Sequence, residues 1–150
     1  MLVCGAACRH GAPESRVKSL EARIDGITCP TCVPPLTASL KRQYNKSAIE
    51  VDDDKDTATI HFAEGENFSA PEFHAAVERV LRMRVVTLRL QACGTLETAN
   101  GNTWLTAGSN RFRVSSERQL PVNEPICADG TLDSRTDPAT FRVSDFSVQP

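Results

Sequence analysis

The chain contains no apolar run approaching the roughly 18 residues that a membrane-spanning helix needs, so no such helix is expected. It also lacks an excess of positive charge: 17 Lys and Arg face 19 Asp and Glu, a formal charge of -2. A nucleic-acid binder normally shows a basic face, so no nucleic-acid partner is expected. Nor is there a Ser-His-Asp constellation, a glycine-rich phosphate loop or a paired-carboxylate motif. The chain is therefore read as a non-enzyme, with no catalytic residue. Its 150 residues, 40% hydrophobic and 24% charged, suit a globular chain with one ordinary core or two small ones. Against these absences stand six cysteines, two of them only three residues apart.

Those two, Cys29 and Cys32, lie in Gly26-Ile27-Thr28-Cys29-Pro30-Thr31-Cys32. Upstream, Leu20, Ala22 and Ile24 alternate with Glu21, Arg23 and Asp25, which predicts a half-buried strand over 19–25. Downstream, Val33, Leu36, Leu40 and Tyr44 recur near helical spacing, predicting a helix to about Tyr44 with Asn45 as its C-cap. Pro34 and Pro35 fall in its first turn, where a missing N–H costs little. Lys41, Arg42 and Lys46 complement its C-terminal end. The thiols thus occupy a strand-to-helix loop, where unpaired N–H groups and the helix dipole favour a thiolate. Two thiolates on one exposed loop suit a soft ion of low coordination number, Cu(I) or Hg(II), whereas structural zinc normally takes four closed ligands.

The spacing next predicts a hairpin, Ala48 to Val51 and Thr57 to Phe62, around the turn Asp52-Asp53-Asp54-Lys55-Asp56. That turn fails as a calcium loop, because Thr57 and Ala63 stand where the sharp-turn glycine and the bidentate glutamate belong. Ser69 is expected to N-cap a second helix over 70–81, with Phe73, Ala76, Val77, Val80 and Leu81 facing the core. His61 and His74 are read as surface residues, and Val86, Leu88 and Leu90 as a fourth strand.

This order of elements is the ferredoxin-like βαββαβ arrangement. With Gly26-Ile27-Thr28-Cys29-Pro30-Thr31-Cys32 in place of a GMxCxxC motif, and Ala75-Ala76-Val77-Glu78 later, residues 18–90 resemble a heavy-metal-associated domain, the module of copper chaperones and periplasmic mercury-binding proteins. The resemblance implies a soft-metal site with Cys29 and Cys32 as ligands, Cu(I) as cargo and Hg(II) or Zn(II) as alternatives. It also implies transfer to or from a partner such as a metal-transporting ATPase. Ile27 would pack beneath the loop and Thr28 stand within it, while Arg82 or Arg84 would lie near the thiolates. Two other readings stay open. Cys29-Pro30-Thr31-Cys32 also resembles the CPxC of glutaredoxins, a dithiol–disulfide redox site. The same fold could equally serve as a metal-free interaction module.

Beyond residue 91 the pattern changes to short alternating strands and close turns, with Asn100-Gly101 and Gly108-Ser109-Asn110 as turn signals. Five strands over 92–150 predict a small all-β barrel, which resembles an OB-fold. Cys93-Gly94-Thr95-Leu96-Glu97 is echoed by Asp129-Gly130-Thr131-Leu132-Asp133, with glycines where such a barrel would bend. Trp104, Phe112, Phe141 and Phe146 are assigned to the core, and Arg111 and Arg113 to an exposed basic pair. In the OB-like arrangement the first and fourth strands are neighbours, so Cys93 and Cys127 would come within bridging distance while Cys29 and Cys32 stay free. The alternative is that Cys93 and Cys127 are small buried hydrophobes. The expected fold class is therefore α+β, a ferredoxin-like domain at 18–91 followed by a small OB-like barrel at 92–150, with 1–17 as a flexible lead. The barrel half is read as a docking or spacing module.

In that lead, Gly5-Ala6-Ala7-Cys8 before a polar stretch resembles the end of a bacterial lipoprotein signal. The resemblance implies lipid on Cys8 and a lipid-anchored periplasmic or cell-envelope protein; a cytoplasmic protein is the alternative. Leu2-Val3-Cys4-Gly5 offers a rival register, and a start with two incidental cysteines remains open.

Overall fold

In the computed structural model, residues 13–27, 29–80 and 82–150 are described. Strand β1 (Arg16–Asp25) passes through a 3-10 turn (Pro30–Cys32) into helix α1 (Val33–Gln43). The hairpin β2 (Ala48–Asp52) and β3 (Thr57–His61) leads to helix α2 (Ala70–Glu78). Strands β4 (Arg84–Ala99), β5 (Asn102–Ala107), β6 (Asn110–Ser115), β7 (Pro125–Asp133) and β8 (Thr140–Val148) follow.

Local sequence accounts for these elements. Leu20, Ala22 and Ile24 of β1 are buried in alternation, as are Ala58 and Ile60 of β3, which pair with them in register. Both helices begin with proline in their first turn, and Ser69 caps α2 by accepting the Glu72 N–H. Leu36 and Leu40 of α1 and Phe73, Ala76 and Val77 of α2 are buried, and the Ser39 hydroxyl donates to the Ala76 carbonyl at 2.5 Å, clamping helix to helix. An edge-to-face aromatic series, Tyr44–Phe62 at 5.2 Å and Phe62–Phe68 at 5.9 Å, fills the space beside them. In the acidic turn, the Asp54 and Lys55 N–H groups donate to the Asp52 carboxylate, so that carboxylate is used locally.

Among the described residues the eight strands form one sheet, in the order β2-β3-β1-β4-β5-β6-β8-β7, with β7 returning to pair with β4. The pairing β4-β5-β6-β8-β7-β4 is a closed five-strand barrel, parallel between β6 and β8 and antiparallel elsewhere. The first and fourth barrel strands, β4 and β7, are thus neighbours over Leu88–Thr95.

The expected fold class is overturned. The chain is mostly β, 49% strand and 17% helix, with a closed five-strand barrel, and is not a ferredoxin-like βαββαβ domain carrying a separate module. The reason lies in β4. Expected to end near Leu90, it runs 16 residues and is itself the first barrel strand. One of its edges pairs with β1 over Arg84–Cys93 and then with β5 over Thr95–Ala99, while the other pairs with β7. Strands β1 to β3 therefore extend a larger sheet. The core cluster runs without a break from Leu36 and Phe73 under the helices to Leu105 and Phe141 in the barrel.

Smaller differences have local causes. Helix α2 stops at Glu78, with Arg79 as C-cap, short of the expected 81. Val86 is 54% exposed, although Leu88 and Leu90 are buried as expected. The β1–β4 register shifts between Arg23↔Thr87 and Ile24↔Val85, which leaves Val86 as the extra residue of a bulge.

Candidate functional site

Gly26 ends β1 with φ 105°, a conformation that disfavours any side chain, and it lies against the Arg82 carbonyl so closely that a Cβ would overlap it. This close approach sets the start of the cysteine loop. Ile27 is fully buried. Thr28 lies outside the described residues. Cys29 then N-caps the 3-10 turn and Cys32 N-caps α1, their Cα atoms 5.3 Å apart.

Both sulfurs are half-buried, and Cys32 also packs on the core. The expectation that they stay free is corrected: Cys29 and Cys32 are joined as a disulfide. A CxxC pair entering a helix is brought to bridging distance by the turn itself, which the strand-to-helix reading did not include. The Thr31 hydroxyl lies 3.1 Å from Cys29 Sγ. Among the described residues no group of three or more His, Cys, Asp or Glu side chains could hold a metal ion. The loop, when reduced, therefore offers two sulfur donors.

The two basic candidates separate. Arg84 is exposed and pairs with Asp25 at 3.5 Å. Arg82 is exposed, has φ 67°, and contributes its carbonyl to the Gly26 contact. Beside the disulfide lies a groove of about 500 Å³ between α1 and α2, with Cys32, Ser39, Arg42, Arg79 and Met83 in its walls. Helical periodicity alone places Arg42 at the helix end. Its place was nonetheless legible, because Cys32, Pro35, Ser39 and Arg42 follow the three-and-four spacing of one helix face.

Elsewhere, Cys93 and Cys127 face each other directly across β4 and β7 and form a second disulfide, with Cα atoms 4.0 Å apart. Cys8 lies outside the described residues. Phe112 and Phe141 are buried and Phe146, half-buried, packs on the core, but Trp104 is only half-buried, which corrects its assignment to the core. Arg111 and Arg113 are exposed and stack on Trp104, at 4.2 and 5.5 Å from its centroid. His61 is exposed as expected, whereas His74 is half-buried, with Nε2 2.8 Å from the Ser134 hydroxyl. That bond ties α2 to the loop after β7, sixty residues away in sequence, and no local pattern signals it.

No family model, curated protein or solved structure matches the chain.

Proposed function

We propose that the protein binds a single soft metal ion, Cu(I) with Hg(II) as the alternative, through the reduced Cys29–Cys32 pair and passes it to a partner's thiols. The observation that carries this reading is the placement of both sulfurs on one half-exposed loop, at the start of an 11-residue helix and over a buried Ile27. The helix N-terminus favours anionic sulfur, and the two-donor set matches a soft ion of low coordination number. Partial exposure leaves room for an incoming thiol, so transfer by stepwise ligand exchange suits the site better than storage. The resemblance of the Gly26–Cys32 motif to heavy-metal-associated domains supports the same reading, with a metal donor or acceptor protein as partner and the cell envelope as the place of action.

Titrating the reduced protein with Cu(I), Hg(II) and Zn(II) against a chelator of known affinity tests it. One soft ion should bind per chain, and Cys32→Ser should remove the chelate and most of the affinity. Equal affinity in the two proteins would refute the assignment.

The disulfide itself favours a second reading, a dithiol–disulfide redox site. Reversible closure of the pair with no metal affinity in the reduced form would select it.

A further inference from the structure

The groove between α1 and α2 is walled by two cations, Arg42 and Arg79, and no acidic side chain is among its described lining residues. Neither arginine forms an ion pair among the described residues. Arg79 spends its Nε on the Ala75 carbonyl, at 3.4 Å, which leaves its terminal N–H groups open. Arg42 is on α1 and Arg79 caps the end of α2, and Cys32, Ser39 and Met83 share the walls with them. Of the two bridged sulfur residues only Cys32 lines this space, and its volume is within the range of a small-molecule site.

From this we infer that the groove seats a small thiol carrying carboxylates, which opens the Cys29–Cys32 disulfide by attack on Cys32. The inference deepens the metal-binding reading, since it supplies the step that turns the bridged pair into ligands. Arg42 and Arg79 hold the carboxylates by charge-assisted hydrogen bonds. The thiolate sulfur forms a bond to Cys32 Sγ, the Cys29–Cys32 bond breaks, and its electron pair leaves on Cys29 Sγ. There the Thr31 hydroxyl, 3.1 Å away, can donate to the new thiolate. A second thiol molecule attacks the first one's sulfur in the mixed disulfide and releases the Cys32 thiolate. Two small thiols supply the two electrons and leave as their own disulfide.

The test uses the full, oxidised chain and follows opening of the bridge by alkylation and peptide mass spectrometry of Cys29 and Cys32. Glutathione is the carboxylate-bearing probe, and neutral 2-mercaptoethanol is the control. Arg42→Ala with Arg79→Ala should slow opening by glutathione about tenfold, the scale of steering by a pair of surface charges, and leave 2-mercaptoethanol unchanged. Arg42→Lys with Arg79→Lys should restore much of the rate, which a merely structural loss would not allow. The glutathione adduct should appear on Cys32. Equal slowing of both thiols, or an adduct mainly on Cys29, would overturn the inference. Because no metal enters the measurement, failure of metal binding in the titration above would leave this result standing, and the reverse.

Discussion

Tyr44 shows at the scale of one residue how a core can hold a polar atom at a cost. Its ring is buried and packs on Phe62, yet its hydroxyl finds no hydrogen-bond partner among the described residues. Burial pushes the phenol pKa well up, by more than the nearby Ser69 backbone lowers it. Removing an unsatisfied buried hydroxyl while keeping the ring should help, so Tyr44→Phe is expected to stabilise the fold by about 1 kcal/mol. Urea unfolding of the two proteins checks this, and a loss of stability would show that the hydroxyl is satisfied. Gly26 is the opposite case. Its positive φ and the Arg82 carbonyl leave no space for a methyl group. Gly26→Ala should cost about 1 to 3 kcal/mol and shift the cysteine loop, seen as a lower melting temperature together with changed reactivity of the reduced thiols. At the surface, the Asp133 carboxyl is held below the usual range, first by its hydrogen bonds from Arg135. A depressed carboxylate pKa contributes stability that is present above the unfolded value and lost as pH falls through the folded one. The turn after β7 should accordingly loosen only in acid, below the ordinary value of 3.8, and a carboxyl-detected NMR titration of Asp133 reads this directly.

Among the elements, the glycines of β4 and β7 explain how a sheet becomes a barrel. Gly94 sits where β4 changes partner from β1 to β5, and a Cβ there would overlap the Thr106 carbonyl. Gly130 lies at a register shift between β7 and β8, against the Arg142 carbonyl. Strands meeting at such corners leave no room for a side chain. Gly94→Ala or Gly130→Ala is expected to cost about 1 to 3 kcal/mol, measurable by chemical denaturation. Between these glycines the Cys93–Cys127 bridge closes a separation of 34 residues. On the chain-entropy model it contributes roughly 4 kcal/mol. Non-reducing peptide mapping should recover that crosslink, and alkylation of both residues in the folded protein would show that packing alone holds the barrel.

These elements also show what a single chain makes legible. Alternation in β1 and β3, the proline and serine starts of α1 and α2, and the repeated Cys/Asp-Gly-Thr-Leu pattern all speak through local periodicity. The Cys29–Cys32 loop between strand and helix is readable for the same reason. Whether β4 ends at Leu90 or continues was not, because Leu90-Gln91-Ala92 keeps the alternation going and nothing local says which strands lie on either edge. The bulge that turns Val86 outward, the His74–Ser134 bond and the presence of Arg42 and Arg79 in the walls of one groove are properties of register and helix packing, absent from any window of sequence.

The whole molecule is held together by that one strand. Leu88 to Thr95 of β4 pair with β7, so a fragment beginning at residue 92 loses the partners of Gly130, Thr131, Leu132 and Asp129. A 92–150 fragment is expected to fail to close its barrel, while 84–150 keeps the complete β4. Amide chemical-shift dispersion of the two fragments decides the matter, and a well-dispersed spectrum from the shorter one would show that β4 beyond residue 91 suffices. The same strand bears on how such a chain can be inherited. A recombination point between the codons for 91 and 92 would leave each descendant with part of a strand whose hydrogen-bonding edges belong to both halves. The thiol loop and the barrel are therefore expected to pass from gene to gene as one unit, gained or lost together.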